Sequence, residues 1–205
     1  PTTHPIVADI TDLEAAKLNF DGITYAKGAA VLKQLVAFVG DEAFFEGARL
    51  YFAANAFGNT TLDDFLVQLS AVSGRDMSDW SAAWLQTSGM STLWTETEAD
   101  GRSILVQTDP RPHRLRIGLY ERVDGRVLRR EQRELDVVGE RTEIDLPDAD
   151  LVLLNDDDLT YVKARLDARS LATVEESLSA IDDPLARALV WSSLWNATRD
   201  GELAA

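Results

Sequence analysis

The apolar positions of this 205-residue chain change their spacing twice, and the changes divide it into three stretches. Between Thr24 and Gly89 they recur at three- and four-residue steps, the repeat that lines one face of a helix. Val31, Leu32, Leu35, Val36 and Val39 form one stripe, and Gly40 stands where that helix would stop. Asp41 is placed to cap a second helix carrying Phe44, Phe45, Ala48 and Phe52, which fades between Asn55 and Gly58. Thr61, with Asp64 three residues on, reads as a variant capping box opening a third helix through Phe65, Leu66, Leu69 and Val72 to Gly74. A fourth sets Trp80 and Trp84 one turn apart as a core stripe and ends near Gly89.

Near Met90 the period shortens to two. LWTETE, SILVQT, RLRIGLYERV, VLRREQREL, TEIDL and LVLLN are short runs set off by turn residues. Leu115, Ile117 and Leu119 alternate with Arg114, Arg116, Gly118 and Tyr120 as a half-buried strand requires, and Asp124-Gly125 after them is a strong hairpin signal. These strands predict a small antiparallel β-sandwich. After Arg169 the helical repeat returns. Thr173 and Glu176 read as a capping-box pair for Val174, Leu178 and Ile181. Asp183-Pro184 restarts a helix with proline at its first position, where the missing N–H is not needed. That helix carries Leu185, Leu189, Trp191 and Trp195, the tryptophans forming a second core stripe. The predicted class is therefore α+β in several parts: a helical lobe over 1–89, the antiparallel β-sandwich over 90–168, and the first helices of an α-helical domain over 169–205.

Composition narrows the functional classes. With 20 Lys+Arg against 35 Asp+Glu the formal net charge is −15, which repels phosphate backbones and excludes nucleic acid as a partner. The arginines from Arg102 to Arg141 are interleaved with acidic residues and read as a solvated β-surface. Without cysteine there is no disulfide or thiolate chemistry, which fits a cytoplasmic location. No apolar run approaches the roughly 20 residues that span a bilayer, so no membrane partner is expected. PTTHPIVADI is not a secretory signal, and it opens without Met. The last two helices show more apolar surface than they can cover themselves. Both ends therefore read as cuts through a longer protein, and self-association through the surfaces so exposed is expected.

Candidate chemistry is sparse. A catalytic zinc needs three protein ligands, whereas the only histidines are His4 and His113, and no HExxH is present. Asn155-Asp156-Asp157-Asp158 lacks the glycine and the downstream glutamate of an EF-hand loop and reads as an acidic turn. No serine sits in a Gly-x-Ser-x-Gly elbow, and there is neither a phosphate loop nor a GxGxxG. Taken alone, the chain contains no active site and is expected to hold no metal. His4, before Pro5, reads as a hydrogen-bonded structural histidine, Lys27 as a solvated or snorkelling lysine, and Gly28 as a site of close helix packing.

THPI (Thr3 to Ile6), FDGITYAKGAAVL (Phe20 to Leu32), and then Gly40, Phe44 and Tyr51 resemble the aminopeptidase N family of zinc metallopeptidases, of gluzincin type. In that family a His-Pro segment leads to an FD-x-I-x-Y-x-K-G-x-x-V/I-L stretch. GNTTLDDFL (Gly58 to Leu66) resembles the next family motif, and WLQTSG (Trp84 to Gly89) the point where a thermolysin-like catalytic domain meets a β-sandwich. NDDDLTYVKARLDARSL and DPLARALVWSSLWNATRDGEL resemble actinobacterial members entering their C-terminal helical domain. The family's HExxH-x18-E zinc motif and Gly-x-Met-Glu-Asn amine motif are absent, and GMSTL lacks its usual Gly-x-Pro. The resemblance implies a zinc-dependent peptidase that removes N-terminal residues from peptides in peptide catabolism, with its zinc ligands outside this chain and the chain alone inactive. It implies one catalytic residue here, Tyr25, at the position of the family's tyrosine that hydrogen-bonds the tetrahedral intermediate. A phenol makes that bond without carrying charge. The rival reading is a non-catalytic module, its sandwich and helices serving as a scaffold or interaction surface, with Tyr25 simply packed at a helix N-terminus.

Overall fold

In the computed structural model, which describes residues 3–8 and 10–204, the chain divides into two units, Pro1–Gly89 and Met90–Ala205. Helices α1 (Leu13–Leu18), α2 (Gly28–Val39), α3 (Asp41–Ala54), α4 (Leu62–Ser73) and α5 (Met77–Leu85) make up the first, and a π-turn, Ile23–Lys27, runs directly into α2. Side chains open three of them: the Asp12 carboxylate accepts from the N–H of Ala15, Asp76 from that of Ser78, and Thr61 with Asp64 completes the reciprocal capping box. Gly74 closes α4 with φ +68°. Gly40, at φ +89°, itself caps α3, so Asp41 is the helix's first residue and not its cap. Its carboxylate still complements the positive end of the helix dipole.

Trp80 and Trp84 are buried with Val31, Leu35, Leu66, Leu69 and Met77, and the Trp80 indole donates to the buried Gln34 Oε1 at 2.7 Å. The stripe expected on α3 is displaced. That helix packs on α4 through Gly47, where a Cβ would stand 2.7 Å from Leu69 Cδ2. The rings that meet α4 are Phe44 and Tyr51, which pack edge-on against Phe65 at 5.9 and 5.3 Å, while Phe45 and Phe52 lie on the other side of the helix and are exposed.

The second unit holds β1 (Thr92–Thr97), β2 (Ser103–Gln107), β3 (His113–Val123), β4 (Arg126–Val137), β5 (Arg141–Ile144), β6 (Leu151–Leu154) and β7 (Lys163–Ala164). They form two sheets, ordered β5-β2-β1-β7 and β4-β3-β6. Within these sheets the described strands pair antiparallel, apart from the two-residue parallel β1–β7 contact, and Val127 of β4 makes a further parallel bridge to Ile181. Leu93 and Leu105 of the first sheet share a core with Leu115, Ile117, Leu119, Val137 and Leu154 of the second, the expected sandwich. Asp124 and Gly125, at φ 49° and 77°, make the β3–β4 turn, whose two positive φ values suit this pair.

Three expectations fail here. β3 is not half-buried, because Tyr120 on its other face joins Leu151, Leu153, Val174, Ile181, Ala186 and Val190 in a second core under α6 (Ala168–Ser177) and α7 (Pro184–Arg199). Helix α6 starts earlier than Thr173: Asp167 caps it, accepting from the Ser170 N–H at 2.9 Å, while Thr173 lies buried and donates to the Asp150 carbonyl at 2.6 Å. Asp183 and Pro184 open α7 as expected. Its tryptophans, however, are no core stripe: Trp191 and Trp195 are 61% and 64% exposed. The helix buries the smaller Ala186, Val190 and Ser193 instead, and the Ser193 hydroxyl donates to the Ala164 carbonyl at 2.7 Å.

Candidate functional site

The Tyr25 segment is built from its start. The Asp21 carboxylate takes the N–H groups of Ile23 and Thr24 on Oδ1, at 2.8 and 3.1 Å, and so fixes the entry to the π-turn. Its other oxygen lies 3.1 Å from His4 Nε2, and His4 Nδ1 lies 2.6 Å from the Pro5 carbonyl. Both ring nitrogens thus face acceptors, which favours the imidazolium. The Pro5 carbonyl, and after it the Asp21 carboxylate, hold the His4 pKa above its ordinary value. The Thr24 N–H, followed by His4 and the Ile23 N–H, holds that of Asp21 below the usual carboxylate value. His4 is therefore hydrogen-bonded in the way its place before Pro5 suggests, and it ties the His-Pro segment to the tyrosine segment.

Within the turn the Gly28 N–H reaches back to the Ile23 carbonyl, a five-residue span that adds one residue to an ordinary helical turn. Positions two apart on a helix lie on opposite sides, and here Tyr25 and Lys27 divide accordingly. Tyr25 is 56% exposed, its ring edge-on to Phe20 at 5.1 Å. Among the described residues its hydroxyl has no hydrogen-bond partner. Lys27 is 6% exposed and donates from Nζ to the Gly89 carbonyl at 2.9 Å and the Thr87 carbonyl at 3.3 Å. The solvated lysine expected from sequence is thus a buried one, because the loop after α5 supplies its acceptors. Gly28 is not a close-packing site either, since a Cβ there would meet only the Ile23 carbonyl at 4.0 Å.

The other candidates resolve into structure. His113, in the second unit, pairs Nδ1 with Thr160 Oγ1 at 2.7 Å, and burial first, then the Arg111 charge, pushes its pKa down to about 3. In the acidic run, buried Asp156 accepts from the Tyr120 hydroxyl at 2.9 Å, Arg129 at 2.8 Å and Gln132 at 3.1 Å. Asp157 accepts from Arg116, Gln132 and Arg129. Gly118 makes room for this, because a Cβ on it would stand 2.3 Å from Asp156 Oδ2. The run is an acidic turn answered by arginines, assembled from β3, β4 and residues 155–158, a meeting that no local spacing announces. Among the described residues no group of three or more His, Asp or Glu could hold a metal. With His4 and His113 engaged as above, the residues present do not fit a catalytic zinc.

Comparison with known proteins bears on this arrangement. Residues 1–88 match the peptidase family M1 domain and residues 151–205 the ERAP1-like C-terminal domain. The aminopeptidase N of Streptomyces lividans is 49% identical across all of this chain and 26% of its own length. A leucyl aminopeptidase of Saccharolobus solfataricus is 36% identical over 43% of this chain and 11% of its own. Among solved structures, Legionella pneumophila aminopeptidase A in complex with aspartic acid matches with a TM-score of 0.64 over 93% of this chain and 23% of that one. At 20% identity that likeness is one of fold. The chain spans about a quarter of the length of the Streptomyces relative.

Proposed function

This chain belongs to the M1 peptidase family, and we propose that it is the part of a zinc aminopeptidase that supplies Tyr25 as the hydrogen-bond donor to the reacting carbonyl. The enzyme would remove N-terminal residues from peptides. When water adds to the scissile carbonyl, the oxygen gains charge, and a donor already aimed at it is worth about 3–4 kcal/mol. Tyr25 has what that role requires: a neutral O–H on a ring turned out of the core, carried by a π-turn, a feature common at functional sites. That outward hydroxyl is the observation that carries the reading. The zinc ligands would come from elsewhere in a longer protein, and the chain by itself would be inactive.

On the same reading, residues 1–89 close a catalytic domain, 90–168 form the sandwich, and 169–205 begin a helical domain. The setting is cytoplasmic peptide catabolism. In isolation the chain would associate with a second copy through the apolar side chains it leaves exposed. The complete protein, assayed with an aminoacyl anilide and with its N-acetylated form, should cleave only the substrate with the free amine. Cleavage of neither would leave the sandwich and helices as a non-catalytic module.

A further inference from the structure

We infer that Lys27 is a positioning residue for Tyr25, an inward pin that fixes where the outward hydroxyl stands; this rests on the reading of Tyr25 as the oxyanion donor. An ammonium group is costly to bury unless its protons are taken up. A methionine would fill the same depth without that cost. Lys27 is nonetheless almost wholly buried, and its Nζ reaches the carbonyls of Thr87 and Gly89, sixty and sixty-two residues along the chain. These carbonyls lie just past the last turn of α5, where the negative end of the helix dipole favours a cation.

Tyr25 has little to hold it directly. Its ring is more than half exposed and rests edge-on against Phe20, itself exposed. Its position is therefore set by the backbone of the turn. That backbone is tied at its start by Asp21, through the N–H groups of Ile23 and Thr24, and at its last residue by Lys27. Because Lys27 and Tyr25 lie on opposite sides of the turn, rotation that releases the ammonium also swings the phenol. A displacement of about 1 Å is enough to cost roughly 10²-fold in rate.

The test is a double-mutant cycle in the complete protein, with kcat and KM measured for the unmodified enzyme, K27M, Y25F and K27M/Y25F on one peptide substrate. Lys27→Met should lower kcat by about 10- to 100-fold while KM moves less than about 3-fold. In the Y25F background the same change should cost less than about 2-fold, because the hydroxyl it positions is gone. If K27M keeps full kcat, or if its loss multiplies unchanged onto that of Y25F, the inference is overturned while the role of Tyr25 stands. If Y25F alone keeps full kcat, the reading beneath it fails first. Should K27M not fold, K27Q takes its place in the cycle: a kcat loss that disappears in the Y25F background supports the inference, and an equal loss in both backgrounds overturns it.

Discussion

His113 sets an observable for the second unit. Buried against Thr160 and near the Arg111 charge, it stays neutral in the folded chain down to about pH 3, whereas an exposed imidazole titrates near 6.5. The folded pKa is the lower one, so as pH falls the unfolded chain takes the proton first. The stability it contributes is complete above about pH 6.5 and is lost progressively toward pH 3, at about 1.4 kcal/mol per unit. His4 has the opposite sign: its raised pKa contributes stability at low pH that is lost as pH rises through the folded value, and its partly solvated place at the surface screens the effect. Denaturant unfolding between pH 7.5 and 5 should therefore fall less steeply in H113Q than in the unmodified chain, by about one proton. Equal slopes would mean that His113 takes its proton in the folded state. Residues of this kind are the least legible in sequence. Nothing local distinguishes buried Lys27 from a surface lysine, since its acceptors lie sixty residues on.

Elements were legible where their signal is short. Thr61 with Asp64, Asp183-Pro184 and Asp124-Gly125 each specify a cap or a turn within four residues, and each stands where that chemistry puts it. Which face an amphipathic helix buries is decided by its neighbour, and there periodicity misled. Helix α3 meets α4 through Gly47, Phe44 and Tyr51 and leaves Phe45 and Phe52 outward, and α7 buries small residues in place of Trp191 and Trp195. Leu13 and Leu18 of α1 are likewise exposed. The isolated chain should consequently bind a hydrophobic dye and scatter light as an associated species. A clean monomer with no dye binding would show that these faces are tolerated in water.

At the scale of the whole chain, the two changes of hydrophobic period were enough to read an α+β arrangement, because a helix and a half-buried sheet impose different spacings on their core residues. The candidate site was readable only through likeness to a family. By its own surroundings Tyr25 is one more amphipathic ring at a helix start, and the π-turn that turns it outward leaves no mark in the spacing of GITYAK. Whether this hydroxyl stabilises the reacting carbonyl is decided by Tyr25→Phe in the complete protein. The variant keeps the ring and its contact with Phe20 and removes a single donor. In that variant kcat should fall by about 10²–10³ and kcat/KM with it, at nearly constant KM. Folding stability should move by no more than about 1 kcal/mol. Full kcat with lowered stability would make Tyr25 a packing residue with no part in the reaction.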